Sequence, residues 1–297
     1  MLPGRHLSAV PSSRRANAAA AMESLVTGAT RAVLSEFVAT AVFVFAAEGS
    51  VYGLCNQPRE PKTHNRRCRA HASPPTRKMY RDTGTVGGLL VVAVAHALAL
   101  AAAVALARNA SGGHVNPAVT FGVLVGRRIS FARAALYWAA QLLGAVLAVL
   151  LLRLASGGMR PMGMTLGHGI HERHALLLEV VMTFGLVYTV CATAVDDRTS
   201  RRGASVTGDM GPLAIGFVAG ANILAGGPFD GAAMNPARAF GPALVGWTWR
   251  HHWVYWVGPL IGAGLAGALY EFVIAEQQPQ APPADAETRL PLAAEDY

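Results

Sequence analysis

Asn-Pro-Ala occurs twice in this chain, at residues 116–118 and 235–237, each time with glycine upstream and a short apolar run downstream. Asn is among the best helix N-caps, and Pro suits the first helical position, where its missing N–H would have had no partner. Asn116 and Asn235 therefore start helices at Pro117 and Pro236, with Ala118 and Ala237 behind them. The first helix has only residues 118–125 before Gly126, Arg127 and Arg128, whereas a bilayer-spanning helix needs about 20. It is a half-span. Irregular backbone leading into a half-helix survives at membrane depth only where protein or a water-filled cavity satisfies its polar groups. One such box is an ordinary capped turn. Two, each followed by Phe-Gly (Phe121-Gly122, Phe240-Gly241), imply a pore.

The surrounding chain fits a membrane. Hydrophobic residues make up 53% of its 297 residues and charged ones 14%, against about 25% charged in a soluble domain. Six apolar segments, near 32–54, 86–107, 131–154, 175–195, 211–225 and 253–275, are expected to span; the fifth is short and needs its flanks. Residues 1–30 and 276–297 read as disordered tails around a channel domain at 31–275. The net charge of +8 sits in loops and the N-terminal tail without interleaved aromatics, so nucleic acid is not an expected partner. Cys55, Cys68 and Cys191 have neither metal spacing nor an even disulfide framework, and no metal or cofactor is expected. Nor does any nucleophile stand at a workable spacing from a base, so the chain does not read as an enzyme.

The half-spans follow segments two and five, which makes the chain two copies of a three-helix unit. Glu36 begins Glu-x-x-x-Thr in segment one, and Glu179 begins it in segment four. An odd number of spans per unit inverts the second copy, placing the site near the midplane at the repeat interface. The fold expected is all-α: six transmembrane helices plus two re-entrant half-helices in an inverted repeat. The first unit carries excess length at 56–77, a basic, Pro-rich stretch that reads as a disordered insert. With both termini cytosolic, Lys and Arg number 12 on each side, and removing residues 57–77 takes six from the far side. That restores the positive-inside asymmetry and marks the insert as foreign to the channel.

Polar residues inside the spans are functional candidates by default. Glu36 and Glu179 are expected to brace the backbone N–H groups of the re-entrant loops. His96 reads as a satisfied interior residue. Arg238, beside a half-helix N-terminus that is itself positive, is badly placed for mere stability; its use is to repel cations and donate hydrogen bonds to a neutral solute. Where the two half-helices meet, two dipole ends and the Asn116 and Asn235 amides would hold a water oxygen and turn its hydrogens outward, breaking the proton wire.

With both boxes and both Glu-x-x-x-Thr helices in hand, residues 30–275 apart from the insert resemble the major intrinsic protein (aquaporin) family. The stretches 111–122, 182–190 and 220–230 are similar to the plant tonoplast intrinsic subfamily, and 151–160 with Ala-Glu-Gly-Ser-Val-Tyr at 47–52 to its seed, or alpha, type. The resemblance implies a homotetramer in the lipid of the vacuolar membrane, each subunit passing water. It also implies an outer selectivity constriction at His96, Ile223, Ala232 and Arg238. Ile223 and Ala232 make that ring wider and less polar than a strict water filter, so urea, glycerol, hydrogen peroxide or ammonia are expected to leak. Ala239, Ala243 and Tyr255-Trp256 depart from the glycerol-facilitator pattern. The alternatives are a channel mainly for those solutes, or a non-conducting structural membrane protein.

Overall fold

The structure, a computed structural model, describes residues 12–55, 86–195 and 206–275, with side chains over 26–54, 86–194 and 210–275. The insert at 56–77 and the tail residues 1–11 and 276–297 lie outside the described residues. Among those described, the regular structure is helical throughout: α1 (Ser12–Cys55), α2 (Val86–Ser111), α3 (Pro117–Val125), α4 (Phe131–Ala155), α5 (Glu172–Val190), α6 (Val206–Asp230), α7 (Pro236–Gly246) and α8 (Val254–Leu269). Helices α5 and α8 each run on into one π-helical turn, Cys191–Val195 and Tyr270–Ile274. Six helices are long and apolar enough to cross a membrane, and the shortest such stretches have 21 residues. At 1.5 Å per residue that is about 31 Å, the thickness of a hydrocarbon core. Leu34, Val38, Leu90, Val94, Leu98, Leu143 and Val181 are exposed on these helices while their other faces are buried, and a helix that is apolar all round is at home in lipid.

Two boundaries differ from the sequence expectation. Helix α1 begins at Ser12, ahead of the apolar stretch, through a run of four alanines with the highest helix propensity. Helix α6 runs past the apolar core of the short fifth segment to Asp230, through the flank Gly226-Gly227-Pro228. Gly226 has the sulfur of Met182 where a Cβ would stand, so packing against α5 overrides local preference.

The two halves are packed as an inverted pair. Helix α1 lies on α4 as α5 lies on α8, and α2 meets α6 across the centre. Each half-helix then crosses over: α3 packs on α8 and α7 on α4. Glycine sets the spacing at equivalent points. A Cβ on Gly144 of α4 would strike the carbonyl oxygen of Phe37 in α1, and one on Gly262 of α8 would strike that of Val180 in α5. Phe37 and Val180 each follow the glutamate of a Glu-x-x-x-Thr. Gly144→Ala or Gly262→Ala is therefore expected to cost about 1–3 kcal/mol by overpacking, read as a lower unfolding temperature in detergent. An unchanged temperature in both variants would show that the helices separate without penalty.

Candidate channel site

Both half-helices start as their boxes dictate. Asn116 is extended (φ −156°, ψ 124°) and its Oδ1 accepts from the Ala118 N–H at 2.8 Å. Asn235 (φ −145°, ψ 107°) accepts from Ala237 at 2.9 Å and Arg238 at 3.3 Å. Pro117 and Pro236 take the first helical positions. The amide groups then bind across the repeat: Asn116 Nδ2 donates to the Met234 carbonyl at 2.8 Å, and Asn235 Nδ2 to the Val115 carbonyl at 3.0 Å. Each Asn caps its own half-helix and ties down the residue before the other.

Those preceding residues are strained. Val115 (φ 57°), Ala232 (φ 46°) and Met234 (φ 52°) lie in the left-handed region, which costs a non-glycine residue about 1–3 kcal/mol and persists only when its surroundings over-determine it. The two buried glutamates do so. Glu36 accepts from the N–H of His114 at 2.9 Å and of Val115 at 2.7 Å. Glu179 accepts from Ala233 at 2.6 Å and Met234 at 2.7 Å. Thr40 and Thr183, which complete the motif, have hydroxyls with no partner among the described residues, so the bracing falls on the acids. Ser111 Oγ and Gln141 Nε2 also donate to Glu36, at 2.6 and 2.8 Å.

The predicted residues converge unevenly. A cavity is lined by His96, Asn116, Ile223, Asn235 and Arg238, whereas Ala232 is not among its lining residues. Ala232 acts through its carbonyl, which accepts from Arg238 Nη1 at 2.6 Å. Arg238 is only 1% exposed, and its Nε donates to Glu48 Oε1 at 3.1 Å. His96 Nδ1 lies 2.8 Å from the Val92 carbonyl. A carbonyl only accepts, so Nδ1 carries a proton, and in the neutral tautomer Nε2 is an acceptor. That Nε2 is buried with no partner among the described residues. The sequence expectation of a satisfied interior histidine is thus half right: one nitrogen is satisfied, and the ring faces the cavity.

Residues 23–270 match the family model described as major intrinsic protein. The chain belongs to this family, the aquaporins. It is 78% identical over 300 residues to the probable aquaporin TIP3-2 of Oryza sativa subsp. japonica, covering 100% of each chain. It is 55% identical over 267 residues to aquaporin TIP3-1 of Zea mays, covering 90% of each. The X-ray structure of the aquaglyceroporin from Plasmodium falciparum superposes with a TM-score of 0.62 over 83% of this chain and 97% of that one; at 20% identity it speaks for the fold. The aquaporin frame contains contacts that sequence reasoning missed. Tyr137 and Tyr255 donate to the carbonyls of Ser111 and Asp230, at 3.0 and 2.8 Å. They anchor the loops ahead of the two boxes. The signal was present: Tyr-Trp recurs at 137–138 and 255–256, nearly the interval between the boxes. Glu48 was also missed as a site residue, though an acid inside an apolar span is a candidate wherever it occurs.

Proposed function

We propose that this aquaporin is a passive water channel of the vacuolar membrane, working as a homotetramer with one pore per subunit, and that small neutral solutes share the path. The location follows the tonoplast intrinsic names of its relatives. Support for the water path comes above all from the pair Asn116 and Asn235. Each side-chain amide has two N–H groups, and one of them is committed to the opposite loop. The second N–H of each is left for the cavity that both residues line. With the positive ends of α3 and α7 behind them, these donors take a water oxygen and turn its hydrogens along the file in both directions, which breaks proton transfer. At the constriction Arg238 donates and His96 Nε2 accepts, while Ile223 supplies an apolar wall that a water-only ring would not need. Glu36 and Glu179 keep the loops in shape. The channel domain runs over 31–275 with the insert in its first loop, and the tails flank it.

Stopped-flow light scattering on proteoliposomes tests this. Osmotic shrinkage well above that of empty vesicles is expected, from the full chain and equally from one lacking residues 57–77, with slower entry of urea or glycerol. Solute entry with negligible water flux would replace the water channel by a solute facilitator, and no flux of either kind would leave a structural protein. Cross-linking in the same vesicles should stop at four copies.

A further inference from the structure

Glu48 stands apart from the other two buried glutamates of the described residues. Glu36 and Glu179 accept backbone N–H groups, whereas the partner shown for Glu48 is a side chain, Arg238, and its Oε2 has none among the described residues. Glu48 is fully buried and does not line the cavity. The inverted repeat adds a second observation. The interval that carries Glu36 to Glu179 carries Glu48 to Cys191, and the interval between the boxes carries Val119 to Arg238. Where one half has an acid and an arginine, the other has a thiol and a valine. The charges come and go together.

Taking the chain as a water channel, as above, we propose that Glu48 is the positioning residue of the constriction: it holds the Arg238 guanidinium back against α1 and out of the lumen. Nη1 is gripped by the carbonyls of Gly231, Ala232 and Ala233 at 3.4, 2.6 and 3.4 Å, all within Arg238's own loop. These three bonds all act on one nitrogen, on the side of that loop. The bond from Nε to Glu48 at 3.1 Å comes from α1 in the other half and fixes the plane. It also supplies the counter-charge that a buried cation requires. Without Glu48, the only water that can solvate the guanidinium is the water in the pore, and the side chain turns toward it and narrows the path.

The test is water permeability per reconstituted protein, in full-chain proteoliposomes. Loss of a charged hydrogen-bond partner corresponds to about a tenfold change in the seated population, so Glu48→Leu is expected to lower permeability about tenfold. Glu48→Gln keeps an oxygen acceptor for Nε and should stay within about twofold of the unchanged chain. Combined with Arg238→Val, the Leu and Gln variants are expected to conduct alike, because no guanidinium remains to be released. A purely structural Glu48 would not show this dependence. Equal losses with and without Arg238, no loss in either background, or Glu48→Gln falling as far as Glu48→Leu would each overturn the proposal. A failure of Glu48→Leu to assemble counts the same way: confined to chains that keep Arg238 it supports the proposal, and in both backgrounds it overturns it. An unchanged chain that conducts no water would instead remove the channel function itself.

Discussion

Glu179→Leu is expected to abolish conduction and to remove a large share of the protein's stability. The substitution strips the acceptor from two buried N–H groups, those of Ala233 and Met234. Each orphaned donor costs about 1–3 kcal/mol, so the loss is on the order of 2–6 kcal/mol against a typical total of about 5–15. The strained backbone at Met234 then keeps only the Asn116 amide on its carbonyl, and the loop that places Asn235 relaxes. Glu36→Leu should fall by a similar amount, although Glu36 has more partners. Ser111 Oγ keeps the Ala107 carbonyl at 3.1 Å, and Gln141 Nε2 keeps Thr120 Oγ1 at 3.0 Å. What cannot be replaced in either half is the same pair of backbone donors. Glutamine at either position offers one acceptor oxygen in place of two, so about half the loss is expected. Thermal unfolding in detergent, with permeability measured on the same preparations, checks the series. A Glu179→Leu chain of unchanged melting temperature and full water flux would mean that the re-entrant loop holds its shape without the acid.

The scaffold was legible in the sequence because its determinants are local and repeated. A half-helix is announced by an N-cap, a proline and a short run, and each box states this within a few residues. The bracing role of Glu36 and Glu179 followed from the cost of a bare carboxylate in hydrocarbon, which leaves backbone donors as the natural partners. What the chain order concealed was pairing between distant segments. Nothing near Glu48 names Arg238, 190 positions away. Nothing near Ala232 shows that its carbonyl, not its methyl group, would meet the guanidinium. His96 was placed at the constriction by resemblance, and the fold adds which ring nitrogen opens on the cavity. The flanks that lengthen the short fifth segment include Gly226, which is a contact surface in space.

Removing the charged pair should change what the pore rejects more than how fast it passes water. Arg238→Val by itself would leave Glu48 as a lone buried carboxylate, so the informative chain also carries Glu48→Gln. At an effective dielectric of about 20, a cation about 4 Å from the guanidinium is repelled by about 4 kcal/mol. Glu48, in contact with the same group, offsets part of this. If half remains, about 2 kcal/mol of barrier disappears with the pair, on the order of 30-fold in proton or small-cation flux. Loss of the guanidinium also leaves His96 and Ile223 facing a methyl-lined gap, so urea and glycerol should enter faster while water permeability stays near that of the unchanged chain. Proton leak should nonetheless remain well below water flux, because the ends of α3 and α7 and the Asn116 and Asn235 amides still orient the file at the centre. A pH-sensitive dye inside the vesicles reads the proton leak, and light scattering reads the solutes. If leak and urea entry both stay at their original values, Arg238 does not guard the mouth, and exclusion of charge rests on the paired half-helices alone.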